Sequence, residues 1–144
     1  MNWVNKISSV AIDRLPKKIS PGSHAMIDYG LAAATAGFGL LCLKRNKAAA
    51  AAAFMASMGQ VTNVAITDIP GGVCREISFP LHGRIDMGIT AVLTAMPRFL
   101  GFADQPESRF FYASALATSI LTGLTDFDGT GERAQSQSLL EARE

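Results

Sequence analysis

Histidine is nearly missing from this 144-residue chain: only His24 and His82 are present. Charge is scarce as well. Asp, Glu, Lys and Arg together make up 17%, below the ~25% of a typical soluble domain. The net charge is +1, so no basic field invites nucleic acid. Two cysteines, Cys42 and Cys74, show neither CxxC nor Cys–His spacing, which leaves no disulfide framework and no cysteine metal site. They are expected at opposite ends of the fold, too far apart to bridge. Alternating runs bounded by hairpin turns, the mark of strands, are missing. So are a nucleophile motif, a glycine-rich phosphate loop and a helical HExxH. The chain is therefore not expected to be an enzyme.

What remains is long, apolar and rich in alanine, the best helix former. Four weakly charged stretches cover residues 27–43, 48–66, 85–103 and 110–127. Each would be roughly 26–28 Å long as a helix, about the thickness of a bilayer core. The mean hydropathy is only +0.23, because many of these residues are small. Gly30 and Ala34, like Ala33 and Gly37, lie four apart, the spacing that lets membrane helices approach closely. The uncharged stretch 48–66 lacks the charged outer face of a soluble helix. The reading is an all-α protein: a four-helix transmembrane bundle, up-down-up-down, with lipid as its surroundings.

Residues 1–18 read as an amphipathic interfacial helix, with Trp3, Val4, Ile7 and Val10 on one face and Trp3 as its membrane anchor. Pro21 and Gly22 read as a break, with Ser23 as the cap of the first long helix. The second helix is expected to run from the alanine run at Ala48 to Asp68, stopped by Pro70-Gly71-Gly72. Pro80 opens the third, which Pro97 should kink or shorten. The fourth ends near Phe127. Residues 131–144 form a polar tail. Lys and Arg favour the side of the N-terminus slightly, which puts it in the cytoplasm.

The sequence repeats itself. His24-x-x-x-Asp28 returns as His82-x-x-x-Asp86, offset by 58 residues. The same offset carries Ile19-Ser20 onto Ile77-Ser78, Gly30 onto Gly88, and Thr67-Asp68 onto Thr125-Asp126. Residues 19–72 and 73–130 are thus two copies of one two-helix unit, entering the membrane from the same side. Placed on helices, His24, Asp28, Asp68, His82, Asp86 and Asp126 gather at one end of the bundle. Stripes of Thr90 and Thr94, of Thr118, Thr122 and Thr125, and of Gln60, Asn63 and Thr67 run on from them, facing other helices rather than lipid.

Three readings of this cluster stand side by side. In the first it is structural, each histidine bridging carboxylates and fixing the register of the repeats. In the second it holds iron, manganese or zinc, as carboxylate–histidine bundles do, although His-x-x-x-Asp differs from their Glu-x-x-His. In the third, His24 and His82 are the axial ligands of a haem.

His24-Ala-Met-Ile-Asp28-Tyr29, Phe79-Pro80-Leu81-His82-Gly83-Arg84-Ile85-Asp86, Leu124-Thr125-Asp126-Phe127 and Pro97-Arg98-Phe99-Leu100-Gly101-Phe102 together resemble the small bacterial integral membrane proteins grouped with the SPW-repeat proteins. The likeness runs from Leu15 to Gly129. Where that family has Ser-Pro-Trp, this chain has Met96-Pro97-Arg98. The resemblance implies a multi-pass protein of the bacterial inner membrane and no particular activity. The functional expectation is a non-enzymatic accessory or scaffolding subunit, packing with itself or with a larger membrane complex. The alternative is a metal- or haem-binding membrane bundle.

Overall fold

The computed structural model describes residues 18–128. The expected interfacial helix with Trp3, apart from Lys18, and the polar tail lie outside them. Four helices follow in chain order: α1 (Pro21–Cys42), α2 (Lys47–Ala65), α3 (Phe79–Phe99) and α4 (Ser108–Leu124). No strand is present among the described residues, and the chain is all-α as its composition predicts. α1 packs chiefly on α2 and α3 on α4, with α2 joining the two pairs and α1 touching α4 less.

The helix ends follow local chemistry, with corrections to the sequence reading. Pro21 does not break α1; it is the first residue of the helix. Proline suits that position because the missing N–H would have no helical partner there. Ser20, rather than Ser23, is the cap, and its hydroxyl accepts from the Ser23 N–H at 3.3 Å. Asn46 caps α2 by accepting from the Ala49 N–H at 2.9 Å. Its amide also donates to Gln105 Oε1 at 2.7 Å, tying the α1–α2 turn to the α3–α4 turn. α3 continues past the buried Pro97 to Phe99. It closes at Gly101, whose φ of +74° is the left-handed conformation that glycine adopts without strain. Cys42 is buried, Cys74 is exposed, and both are free thiols.

α2 ends at Ala65, three residues before the expected Asp68. From there the chain turns, Thr67 makes an isolated bridge, and the repeat shows in the backbone. Thr67 bridges to Ile77 and Thr125 to Ile19, both in parallel sense. The Ile77 N–H donates to the Ile66 carbonyl at 3.0 Å, and the Ile19 N–H to the Leu124 carbonyl at 3.1 Å. Carbonyls at the ends of α2 and α4, which helix geometry leaves without partners, are thus satisfied by the segments that lead into α3 and α1.

The inside of the bundle is unusually polar and its outside unusually apolar. On α2, Ser57, Gln60 and Asn63 are buried while Met55, Met58 and Val61 are exposed. On α1, His24, Asp28 and Thr35 point inward, and Met26 (77% exposed) and Leu41 (76%) point outward. α4 buries Ser114, Thr118 and Thr122 and exposes Leu116 and Ile120. Two apolar clusters bracket the polar interior. At the turn end, the alanines of α2 pack with Leu93, Phe102 and Phe111, and Phe38 stacks on Phe110 with centroids 4.0 Å apart. At the other end, Ala25, Val64, Ile69 and Phe79 form a smaller cluster with Tyr29 and Phe127.

Among the described helices, α1 alone is long and apolar enough to cross a membrane by length and composition. The expectation of four spans is met on that measure by α1 only. α4 has 17 residues, α2 carries Lys47, Ser57, Gln60, Thr62 and Asn63 among its alanines, and α3 carries Arg84, Asp86 and Arg98.

Candidate metal centre

Each histidine sits in the first turn of its helix, where the chain has just been fixed by a serine. The His24 N–H donates to the Ser20 carbonyl at 2.9 Å and the His82 N–H to the Ser78 carbonyl at 3.0 Å. One turn on, Asp28 and Asp86 project from the same helix faces. Both imidazoles are fully buried, and Asp28 and Asp86 are 6% and 4% exposed. Charged groups this deep need partners.

The outer nitrogens are held by threonines. The Thr67 hydroxyl donates to the Asn63 carbonyl at 2.5 Å, and the Thr125 hydroxyl to the Leu121 carbonyl at 2.7 Å. A hydroxyl has one hydrogen. With that hydrogen spent, Thr67 Oγ1 accepts from His82 Nδ1–H at 2.9 Å, and Thr125 Oγ1 accepts from His24 Nδ1–H at 2.7 Å. Both rings are therefore fixed with Nδ1 protonated, and in the neutral imidazole the Nε2 lone pair points inward. Metal-ligating histidines are oriented in this way, by a hydrogen bond from the far nitrogen. Each link joins the two copies: His82 to the end of α2, and His24 to the end of α4.

The inward atoms converge. His24 Nε2 and His82 Nε2 are 3.1 Å apart. Asp28 Oδ2 lies 3.2 Å from His24 Nε2 and 3.0 Å from His82 Nε2. Asp86 Oδ2 lies 3.2 Å and 3.1 Å from the same two nitrogens. All four ligand atoms fall within 4.8 Å of one another. Regular tetrahedral zinc with bonds of about 2.0–2.1 Å would space its ligand atoms ~3.3–3.4 Å apart. The five nitrogen–nitrogen and nitrogen–oxygen edges are within a few tenths of an ångström of that figure.

Around this tetrad the two copies differ. The Asn63 amide donates to Asp86 Oδ1 at 2.9 Å and to the His82 carbonyl at 3.3 Å. The equivalent residue in the second copy is Leu121, which can donate nothing from its side chain. On the side of the helix starts the tetrad is roofed by rings. Phe79 and Phe127 stand edge-on to His24 with centroids 5.4 and 5.3 Å away. Gly83 makes room for this roof: a Cβ there would meet the Phe127 ring at 2.8 Å. Asn63 Oδ1 and, further along the helices, the buried oxygens of Gln60, Thr90, Thr118 and Thr122 have no protein partner among the described residues. Such oxygens are where buried water is held.

Of the six residues expected to gather here, His24, Asp28, His82 and Asp86 do so. Asp68 does not. It is exposed and lies 3.7 Å from the Arg75 guanidinium. Asp126 is half-buried, with its N–H directed at the Ile19 carbonyl at 3.5 Å, and it contributes no atom to the tetrad. The inward residue of each Thr-Asp pair is the threonine. Thr67, Thr125 and Asn63, which the sequence places on inward-facing stripes but not in the cluster itself, are the further site residues. The signal was available in the repeated Thr-Asp itself and in a polar stripe on α2. No family model matches this chain, nor does any curated protein or solved structure.

Proposed function

We propose that this protein is a membrane-embedded helical bundle that binds one divalent transition-metal ion, zinc first, through His24, Asp28, His82 and Asp86. The observation that carries the reading is the convergence of four ligand atoms within 4.8 Å of one another, five of their six separations being 3.0–3.2 Å, with both imidazoles held by threonines in the ligating tautomer. Without a cation, two Nε2 lone pairs would face one another and two carboxylate oxygens at 3.0–3.2 Å. A proton on one ring serves one of these contacts; with protons on both rings each N–H donates to a carboxylate, but the two N–H groups then stand 3.1 Å apart. A divalent ion serves all of them. Its charge also cancels the two carboxylates, leaving a neutral centre in a poorly solvated place.

The ligand set argues for zinc over manganese, which prefers six oxygen-rich ligands. A haem would have to pass its macrocycle between two nitrogens now 3.1 Å apart. Four protein ligands make a closed site, the structural rather than the catalytic pattern, in keeping with an accessory role. The ion would staple α1 to α3 at the seam between the two copies.

The membrane part of the reading rests on the inverted bundle, with Met58, Leu41 and Met26 outside and Gln60, Asn63 and Asp28 inside. In water that distribution is costly; in lipid it is the stable one. The family resemblance points the same way.

The test is metal analysis of protein purified in mild detergent, together with titration of the metal-free protein with cobalt(II) chloride. One ion per chain is expected, with the intense visible bands of tetrahedral cobalt, both lost in His82→Ala. Metal-free protein that shows no cobalt bands on titration would overturn the reading.

A further inference from the structure

The two copies supply the same four ligands but do not support them equally, and this difference bears on how the site treats its ion. Asp86 is held at both oxygens. Oδ2 faces the two imidazoles, and Oδ1 accepts from the Asn63 amide at 2.9 Å. Asn63 is held in place: it is 3% exposed, its side-chain amide N–H also reaches the His82 carbonyl, and its backbone carbonyl receives the Thr67 hydroxyl. Asp86 is thus confined to binding through one oxygen. The offset of 58 that carries Asp28 onto Asp86 carries Asn63 onto Leu121. Leu121 keeps the backbone half of the arrangement, since its carbonyl receives the Thr125 hydroxyl at 2.7 Å. It has no side-chain donor to offer Asp28. Of the four ligands, Asp28 alone lacks the support its counterpart has: both histidines are tied to threonines, and Asp86 is tied to Asn63.

We propose that Asp28 is the adaptable ligand of the metal centre and Asn63 the clamp that makes Asp86 the fixed one. This rests on the metal reading above. Free of a clamp, the Asp28 carboxylate can turn to bind through both oxygens. The centre then becomes five-coordinate and accepts ions larger than zinc. The same freedom lets Asp28 leave first, so that release of the ion begins at α1. Supporting groups around a metal ligand are worth about 10–100-fold in affinity, which is the scale on which the two carboxylates should differ.

The experiment compares cobalt(II) release from wild type, Leu121→Asn, Asn63→Leu and the pair Asp28→Asn and Asp86→Asn. Protein in detergent is loaded with cobalt(II) chloride, and loss of the visible bands into excess chelator is timed. Leu121→Asn installs the missing clamp. It should slow release roughly tenfold, the factor given by a barrier ~1.4 kcal/mol higher, and shift competition between zinc and manganese towards zinc. Asn63→Leu should speed release by a similar factor. If either variant fails to fold, the carboxylate pair decides: Asp86→Asn should cost more cobalt affinity than Asp28→Asn. Unchanged release rates in both clamp variants, or equal losses in the carboxylate pair, would overturn the proposal while leaving metal binding intact. A wild type that binds no cobalt removes the metal reading and this inference with it.

Discussion

His24 Nε2 and His82 Nε2, 58 residues apart in sequence, face each other at 3.1 Å inside the bundle, near the starts of α1 and α3. Two nitrogens of buried rings do not come this close unless something between them is shared or the surroundings force them together. The surroundings here are rigid. Each ring is anchored at its far nitrogen by a threonine, and each threonine by a backbone carbonyl.

Occupancy of the centre should be visible in stability. An ion present at a thousand times its dissociation constant adds about 4 kcal/mol to the folded state. Each kcal/mol moves the melting temperature of a chain of this size by roughly 2–8 °C. Thermal unfolding of protein stripped with chelator, then restored with zinc, should show a rise in melting temperature that His82→Ala abolishes. Equal melting temperatures with and without zinc would argue against an ion that binds the folded state.

Thr67→Val and Thr125→Val test the threonine relays. Valine keeps the shape and removes the hydroxyl, leaving the His82 or His24 Nδ1–H and a backbone carbonyl unsatisfied. We expect a loss of about 1–3 kcal/mol for each and about 10–100-fold weaker cobalt binding. The two variants should resemble each other, because their environments are related by the repeat. Cobalt titration and thermal unfolding read both effects, and wild-type affinity in either variant would contradict the tautomer assignment.

Asp68→Asn separates this structure from a purely sequence-based cluster. Asp68 lies at the surface against Arg75, so the variant should bind cobalt with wild-type affinity. Loss of the visible bands in Asp68→Asn would return that residue to the centre.

Gly83→Ala should displace the aromatic roof. The added methyl would meet the Phe127 ring at 2.8 Å, and overpacking of this kind costs about 1–3 kcal/mol. Ala25 occupies the equivalent place in the first copy, so alanine is compatible with the helix itself. Thermal unfolding alongside Ala25→Gly distinguishes a packing clash from a change in helix propensity: a melting temperature for Gly83→Ala at or above wild type would show that the ring yields freely.

Met58→Lys probes the environment of the outer surface. Met58 is 71% exposed. On a water-facing helix the change should alter stability by no more than about 0.5 kcal/mol. At the centre of a membrane span lysine costs about 2.5–3.5 kcal/mol. We expect reduced insertion, read as a smaller fraction of protein resisting carbonate extraction, with no such effect for Lys47→Met at the turn.

The sequence by itself determined the helices, the duplication and four of the site residues. Alanine content and the lack of alternating runs leave little but helix. A gapless offset places His24 over His82 and Asp28 over Asp86. A four-residue spacing within a helix puts each pair on one face wherever the helices go. Only the tertiary structure decided which member of Thr67-Asp68 and of Thr125-Asp126 faces the centre. On a helix running through to Asp68, both residues would have stayed near the same end and the charge would have been the natural choice. α2 instead stops at Ala65, and Thr67 is drawn into an extended pairing with Ile77. In extended chain neighbouring side chains point to opposite sides, so burying Thr67 sends Asp68 outward to Arg75. That pairing joins segments separated in sequence, and nothing within either segment alone specifies it.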